Sequence, residues 1–136
     1  MRVCGIEISG SEARLVILDG NADSYQVVDC TTKKLPLDNS ASQEDIKSLK
    51  SSFNTLFRDY HIEKIVVKKR PEKGGFAGGG KSFKIETLIQ LSECEVELLS
   101  PQTIASRLKR SPQQIPQGLN KYQEMAFQTA YAALPQ

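Results

Sequence analysis

Two glutamates lie in segments that could hold a divalent metal ion. Glu7 stands between Ile6 and Ile8 in an apolar, β-branched segment, and Glu124 is the one acidic residue of the last predicted helix. Carboxylate oxygens suit Mg²⁺ and Mn²⁺, and two such ions can hold both the attacking and the leaving oxygen of a phosphodiester. Glu7 and Glu124 are therefore candidate catalytic and metal-binding residues.

Each of these glutamates also has a structural explanation. A charge in a central strand is costly unless it is solvated, paired or bound to metal, so Glu7 fits an open sheet end or an ion pair with a lysine. Glu124 lies off the predicted apolar stripe of its helix, which fits a solvated surface position. The functional and the structural interpretation stay open for both residues.

A third carboxylate is harder to find. The strand predicted at residues 62–68 is followed by Lys69 and Arg70, and the next acid, Glu72, comes only after a proline. A three-carboxylate site needs Glu72 to turn back toward the sheet, or Glu86 to reach it from the following helix. Glu72 is thus the third candidate catalytic residue.

The same region is the one strongly basic stretch of the chain. Its cations, with Phe76 and Phe83 between them, are Lys68, Lys69, Arg70, Lys73, Lys81 and Lys84. Cations for phosphates with aromatic rings for stacking are typical of DNA-binding or RNA-binding surfaces. A solvated charged loop is the alternative.

A glycine-rich segment inside this stretch matches the pattern of a phosphate-binding P-loop. Gly75, Gly80, Lys81 and Ser82 stand at the spacing G-x-x-x-x-G-K-S, between a predicted strand and a predicted helix. Three observations argue against an NTPase: residues 69–74 separate the loop from its strand, the next strand ends without an aspartate for Mg²⁺, and the strand order differs. A flexible loop that binds an anion fits better.

Composition restricts the class of protein. The chain has 136 residues with a net charge of +2, which predicts one domain over residues 1–136 and does not by itself indicate nucleic acid. Its three cysteines, Cys4, Cys30 and Cys94, show no metal-ligand spacing, which favours free thiols in a reducing compartment. The sequence shows no long apolar segment of the kind that forms a signal peptide or a membrane span, so we expect a cytoplasmic protein.

Hydrophobic periodicity, turn residues and helix caps predict the elements that position these residues. Five strands are predicted at residues 2–9, 12–19, 24–35, 62–68 and 94–99. Helices are predicted at residues 43–60, 82–92, 101–109 and 119–134, with Ser42 and Ser100 as N-caps. Leaving the short third helix aside, the order is β-β-β-α-β-α-β-α.

This order predicts an α/β fold with a five-stranded mixed sheet flanked by helices. Short glycine turns join the first three strands as an antiparallel meander, and each strand-helix-strand unit adds a parallel strand. The first strand must then pair on both sides. The order is that of the ribonuclease H-like fold, whose nucleases place acids on the first strand, at the end of the fourth and on the last helix.

The sequence resembles a bacterial family of uncharacterised proteins, domain of unknown function 3010. The resemblance covers nearly the whole chain, through the strings CGIEISGSEARL, RPEKGGFAGG, FKIETLIQL, VELLSPQTI, LKRSP and QEMAFQTAY. It implies a fold similar to that of the Holliday-junction resolvases. It brings no established activity with it. Carried over from the resolvase pattern, Glu7 matches the first acid and Glu124 the last, while Lys68 or Lys69 replaces the acid of the fourth strand.

These observations favour a nucleic-acid-associated domain, binding DNA or RNA, with weak or absent metal-dependent cleavage; Mg²⁺ or Mn²⁺ is expected if it cleaves. A nucleotide- or phosphate-binding module using residues 75–82 is the second hypothesis, and a non-catalytic interaction scaffold is the third. Whether the protein is an enzyme, its substrate and its oligomeric state stay open.

Overall fold

The computed structural model describes residues 1–70, 79–111 and 115–136. The strands are β1 (Arg2–Ser9), β2 (Glu12–Gly20), β3 (Tyr25–Val27), β4 (Lys34–Pro36), β5 (Lys64–Lys68) and β6 (Glu95–Leu99). The helices are α1 (Gln43–Asp59), α2 (Gly80–Gln90), α3 (Pro101–Arg110) and α4 (Glu124–Ala132), with a 3₁₀ turn at Lys121–Gln123.

The strands form one mixed sheet in the order β3-β2-β1-β5-β6, with β4 also paired to β2. β1 is antiparallel to β2 and parallel to β5, and β5 is parallel to β6. The predicted mixed sheet with β1 paired on both sides is therefore confirmed.

The third predicted strand, residues 24–35, is two short strands, so the described sheet has six strands rather than five. Both pair with β2, and the flanking bonds from Val28 N to Ile17 O and from Leu15 N to Lys33 O are each 2.9 Å. Between them the chain forms local bonds: Cys30 Sγ donates to Thr32 O, and Lys33 Nζ donates to Cys30 O. Such local bonds compete with the ladder and interrupt the strand.

The helices cover both faces of the sheet. On one face, α1 and α2 pack against Cys4, Ile6 and Ile8 of β1. On the other face, α3 and α4 pack against Val3 of β1 and Val66 of β5. Because side chains alternate along a strand, the odd-numbered residues of β1, including Glu7, point to the α4 face.

Capping residues define the helix starts as predicted in two places. The Ser42 side chain accepts a hydrogen bond from Asp45 N at the start of α1, and Ser100 accepts one from Thr103 N at the start of α3. Three predicted starts differ from the structure. Helix α2 begins at Gly80 rather than at residue 82, β5 at Lys64 rather than at residue 62, and α4 at Glu124, after a 3₁₀ turn, rather than at residue 119.

Helix α4 lies very close to β1 at Gly5. A Cβ built on Gly5 would stand 2.3 Å from Ala126 O and 2.5 Å from Ala130 N. Only glycine permits this approach, which brings the start of α4 to the carboxyl end of β1.

Within the described part of the chain, no helix is long and apolar enough to cross a membrane.

Candidate nucleic-acid interface at the carboxyl edge of the sheet

A row of charged side chains crosses the sheet near the carboxyl end of β1. Glu7 is the cross-strand partner of Arg14 on β2, and Arg14 is in turn the partner of Lys34 on β4. On the other side, Ile6 of β1 pairs with Val67 of β5, so the next residue, Lys68, stands beside Glu7. The pleat places all four side chains on the α4 face. We call Lys34, Arg14, Glu7 and Lys68 the charged row.

Glu7 is paired to a cation and is only slightly exposed. Its Oε1 lies 3.8 Å from Arg14 Nη1, and its side chain is 19% exposed. The Nε of Arg14 also donates to Glu12 Oε2 at 3.0 Å. Of the structural alternatives for Glu7, the ion pair is observed, but with Arg14 of β2 rather than with a lysine, because β1 and β2 place the two residues directly opposite each other.

The predicted basic residues at the end of β5 border the same pocket as Glu7. Lys68, Lys69 and Arg70 line it together with Glu7 and Ile8. Arg70 Nη1 donates to the carbonyl oxygen of Ile8, and Lys69 is exposed while its backbone N–H donates to Leu99 O at 2.7 Å. The ends of β1, β5 and β6 therefore hold these cations at one edge of the sheet.

The start of α4 turns Gln123 toward the sheet, and Glu124 takes the solvated position that its place off the apolar stripe fits. Gln123 is 3% exposed; its Nε2 donates to Leu15 O at 3.0 Å and its Oε1 accepts from Asn120 N at 2.9 Å. Glu124, the predicted acid, is exposed at the first position of α4. The buried polar position at this helix end is thus held by an amide.

Tyr122 was missed as a functional candidate. Its ring lies under two members of the charged row, with Arg14 Cζ 5.7 Å and Lys34 Nζ 5.1 Å from the ring centroid. These are cation–π distances. Nothing in the sequence showed that three residues so far apart meet.

The end of the glycine-rich segment is bound to neighbouring loops. Lys81 Nζ donates to Asp38 O at 2.7 Å, and Ser82, which is buried, donates its hydroxyl to Gly10 O at 2.7 Å. Gly80 is exposed at the first position of α2. In this structure the lysine and serine of the P-loop pattern bind backbone carbonyls. Glu72, Lys73 and Gly75 lie outside the described residues.

The described acids do not gather into a metal site. Among residues 1–70, 79–111 and 115–136, no three histidine, cysteine, aspartate or glutamate side chains are arranged to hold an ion. Glu86, the alternative third acid, lies on α2, which packs on the sheet face opposite to Glu7. Mg²⁺ or Mn²⁺ does not fit the described side chains, since the one carboxylate of the charged row already has a guanidinium beside it.

The chain is similar to one protein family and to solved structures of the same fold. The model of a family of proteins of unknown function, DUF3010, matches residues 1–133. No curated protein matches the sequence. A Thermus thermophilus RuvC structure aligns with a TM-score of 0.75 at 10% identity, covering 97% of this chain and 92% of that one.

The same protein in complex with a Holliday junction substrate aligns with a TM-score of 0.73 at 9% identity, covering 97% of this chain and 91% of that one. At these identities the likeness establishes the fold. The predicted ribonuclease H-like architecture and the resemblance to DUF3010 are both confirmed.

Proposed function

The chain belongs to the DUF3010 family, and we propose that it is a nucleic-acid-binding domain that binds phosphates at the carboxyl edge of its sheet, with weak or absent metal-dependent cleavage. The observation that carries the proposal is the composition of the charged row. Glu7 has Arg14 on one side and Lys68 on the other.

Cleavage with two metal ions requires several carboxylates within a few ångströms of each other, because each ion carries two charges and keeps part of its water shell. Lys68 stands where a second acid would share the ion with Glu7, and its ammonium repels a divalent cation. Glu124 offers an exposed carboxylate at the start of α4 rather than one turned to the sheet. Glu7 and Glu124 alone make a poor site for Mg²⁺ or Mn²⁺.

Phosphate binding needs only accessible positive charge and hydrogen-bond donors. Lys69 is exposed, Lys68 and Arg70 are half-buried, and all three border one pocket on the open edge of the sheet. The Thermus thermophilus RuvC structure with a Holliday junction substrate supports DNA as a ligand class for this architecture. DNA and RNA both present the phosphates that this edge can bind.

Binding is tested by fluorescence anisotropy with labelled single-stranded, duplex and four-way-junction DNA and with single-stranded RNA. Three phosphate contacts, from Lys68, Lys69 and Arg70, predict that affinity falls about 40-fold for duplex DNA and about 20-fold for single strands between 50 and 200 mM salt. Lys68→Gln and Lys69→Gln should each weaken binding and reduce the salt slope by about 1. The matched control is Lys47→Gln, an exposed lysine of α1 on the opposite face of the sheet.

Absence of binding at low salt in the wild-type protein would contradict the proposal and favour a scaffold. Equal weakening by Lys47→Gln and Lys69→Gln would show that the charge acts without a defined site.

Cleavage is tested with the same substrates in Mg²⁺ or Mn²⁺, comparing the wild-type protein with Glu7→Gln. We expect little turnover from either protein. Robust cleavage that disappears in Glu7→Gln would contradict the proposal, and cleavage that is the same in both would identify a contaminating nuclease.

A further inference from the structure

Two like charges stand directly opposite each other on neighbouring strands. Arg14 of β2 and Lys34 of β4 are cross-strand partners on the α4 face. Like charges at such positions destabilise a sheet. A local rule is most often broken in this way at a functional site, where the two charges act together on a ligand.

The ring of Tyr122 holds this pair of cations in place. It lies 5.7 Å from Arg14 Cζ and 5.1 Å from Lys34 Nζ. Residues on both sides of Tyr122 in the sequence hold its ring in place. The Tyr122 hydroxyl accepts from Asn120 Nδ2 at 3.3 Å, and the next residue, Gln123, donates to Leu15 O. An aromatic face offsets part of the repulsion between the two cations and restricts their conformations.

Both cations keep donors for a ligand. Lys34 is an exposed residue, and its ammonium has three N–H groups. The guanidinium of Arg14 has five N–H groups, of which those on Nε and Nη1 face Glu12 and Glu7. The two acids lie beside Nε and Nη1 of the guanidinium, and Arg14 Cζ and Lys34 Nζ both lie over the Tyr122 ring.

We propose that Arg14 and Lys34 form a second phosphate-binding subsite for the nucleic-acid backbone, with Tyr122 as its positioning residue. The subsite lies on the far side of Glu7 from Lys68. Three spacings between neighbouring strands separate Lys34 from Lys68, a distance of about 14 Å. A bound strand therefore crosses β4, β2, β1 and β5 along the charged row, rather than contacting only the end of β5.

This inference rests on the proposed nucleic-acid binding and is tested so that the two can fail separately. Salt titrations of anisotropy use a labelled single-stranded DNA of about 20 nucleotides. Lys34→Gln should reduce the salt slope by about 1. Tyr122→Leu should weaken binding about fivefold at low salt, while Tyr122→Phe, which keeps the ring, should bind like the wild-type protein.

The control variant is Lys50→Gln, an exposed lysine of α1 on the opposite sheet face, which should bind like the wild-type protein. Unfolding midpoints of all variants are compared to detect any loss of folding. Lys34→Gln changes an exposed side chain outside the core, so it tests the subsite while Tyr122 is unchanged. If Lys34→Gln and Tyr122→Leu bind like the wild-type protein while Lys69→Gln is weakened, the second subsite is overturned and the proposed function stands. If the wild-type protein binds no nucleic acid, both are overturned.

Discussion

Replacing Gly5 by alanine tests the contact that positions the whole interface. The added Cβ would meet Ala126 O at 2.3 Å, Ala130 N at 2.5 Å and Ala130 Cβ at 2.6 Å, whereas ordinary contact begins at 3.4 Å. Two of these atoms are backbone, so no side-chain rotation can relieve the overlap. Helix α4 must instead move away from β1 by about 1 Å.

The energetic cost follows from what α4 buries. Ala126, Phe127, Ala130 and Tyr131 are buried against the sheet, and moving the helix loosens all of these contacts at once. Overpacking a core costs about 1–3 kcal/mol, and because the backbone is involved here we expect about 3 kcal/mol. A domain of this size is stable by about 5–15 kcal/mol, so the variant should still fold.

Urea denaturation measures this cost. With a slope of about 2 kcal/mol per molar urea, the midpoint of Gly5→Ala should fall by about 1.5 M. Gly10→Ala is the matched control: it has open space around its Cβ but a φ of +61°, so it should cost only about 1 kcal/mol. A midpoint for Gly5→Ala equal to or above that of Gly10→Ala would refute the close approach of α4 to β1.

Three further predictions concern the core and the charged row. Gln123→Leu leaves Leu15 O and Asn120 N without their side-chain partner, and should cost about 1–3 kcal/mol by urea denaturation; an unchanged midpoint would contradict the buried amide. Burial raises the pKa of the Cys4 thiol above its ordinary 9.0, with smaller contributions from Cys30 and Cys94. The contribution of this thiol to the free energy of unfolding is therefore complete below pH 9 and is lost as pH rises further. Unfolding midpoints measured from pH 7 to 10.5 should fall less steeply in Cys4→Ala than in the wild-type protein. Parallel curves for the two proteins would contradict this reasoning. Lys68→Asp places a second carboxylate beside Glu7. Mn²⁺ should therefore raise the thermal midpoint of this variant by about 2 °C and leave the wild-type midpoint unchanged. Equal shifts in the two proteins would show that Lys68 does not exclude the metal.

Local sequence signals predicted the elements and their order. Ser42 and Ser100 were identified as caps because each hydroxyl precedes a helical pattern by one position, and both side chains accept the expected bond. The central position of β1 followed from its antiparallel turn to β2 and its parallel crossover to β5. Signals of this kind act within a few residues, and the sequence contains them directly.

The inward position of Gln123 could not be predicted in the same way. A helical wheel that begins at residue 119 turns every residue by 100°, but residues 121–123 form a 3₁₀ turn with three residues per turn. The wheel already put Glu124 off the apolar stripe, and the structure leaves it exposed. What the wheel does not give is the full burial of Gln123, which ends the 3₁₀ turn and donates to Leu15 O.

The charged row was equally hidden, because its members meet only through strand register. Arg14 and Lys34 are separated by the break between β3 and β4, and the length of that break decides which residue of β4 stands opposite Arg14. A shift of one residue would turn Lys34 to the other face of the sheet and place Lys33 or Leu35 opposite Arg14, depending on its direction.

The ionic neighbours of Glu7 show how one fold can carry different chemistry at the same edge. A carboxylate in a central strand needs a positive partner, and a divalent ion or a guanidinium can each supply it. Here Arg14 supplies that charge from the adjacent strand, 3.8 Å away, and Lys68 adds a second cation from the other side. Both are held by the sheet itself, so the edge is positively charged without metal. In the proposed function these fixed cations retain a phosphate, and the two described carboxylates beside Arg14, Glu7 and Glu12, are each already paired with its guanidinium. The side chains at these register positions, rather than the fold, would then decide whether such an edge holds a metal ion or a phosphate.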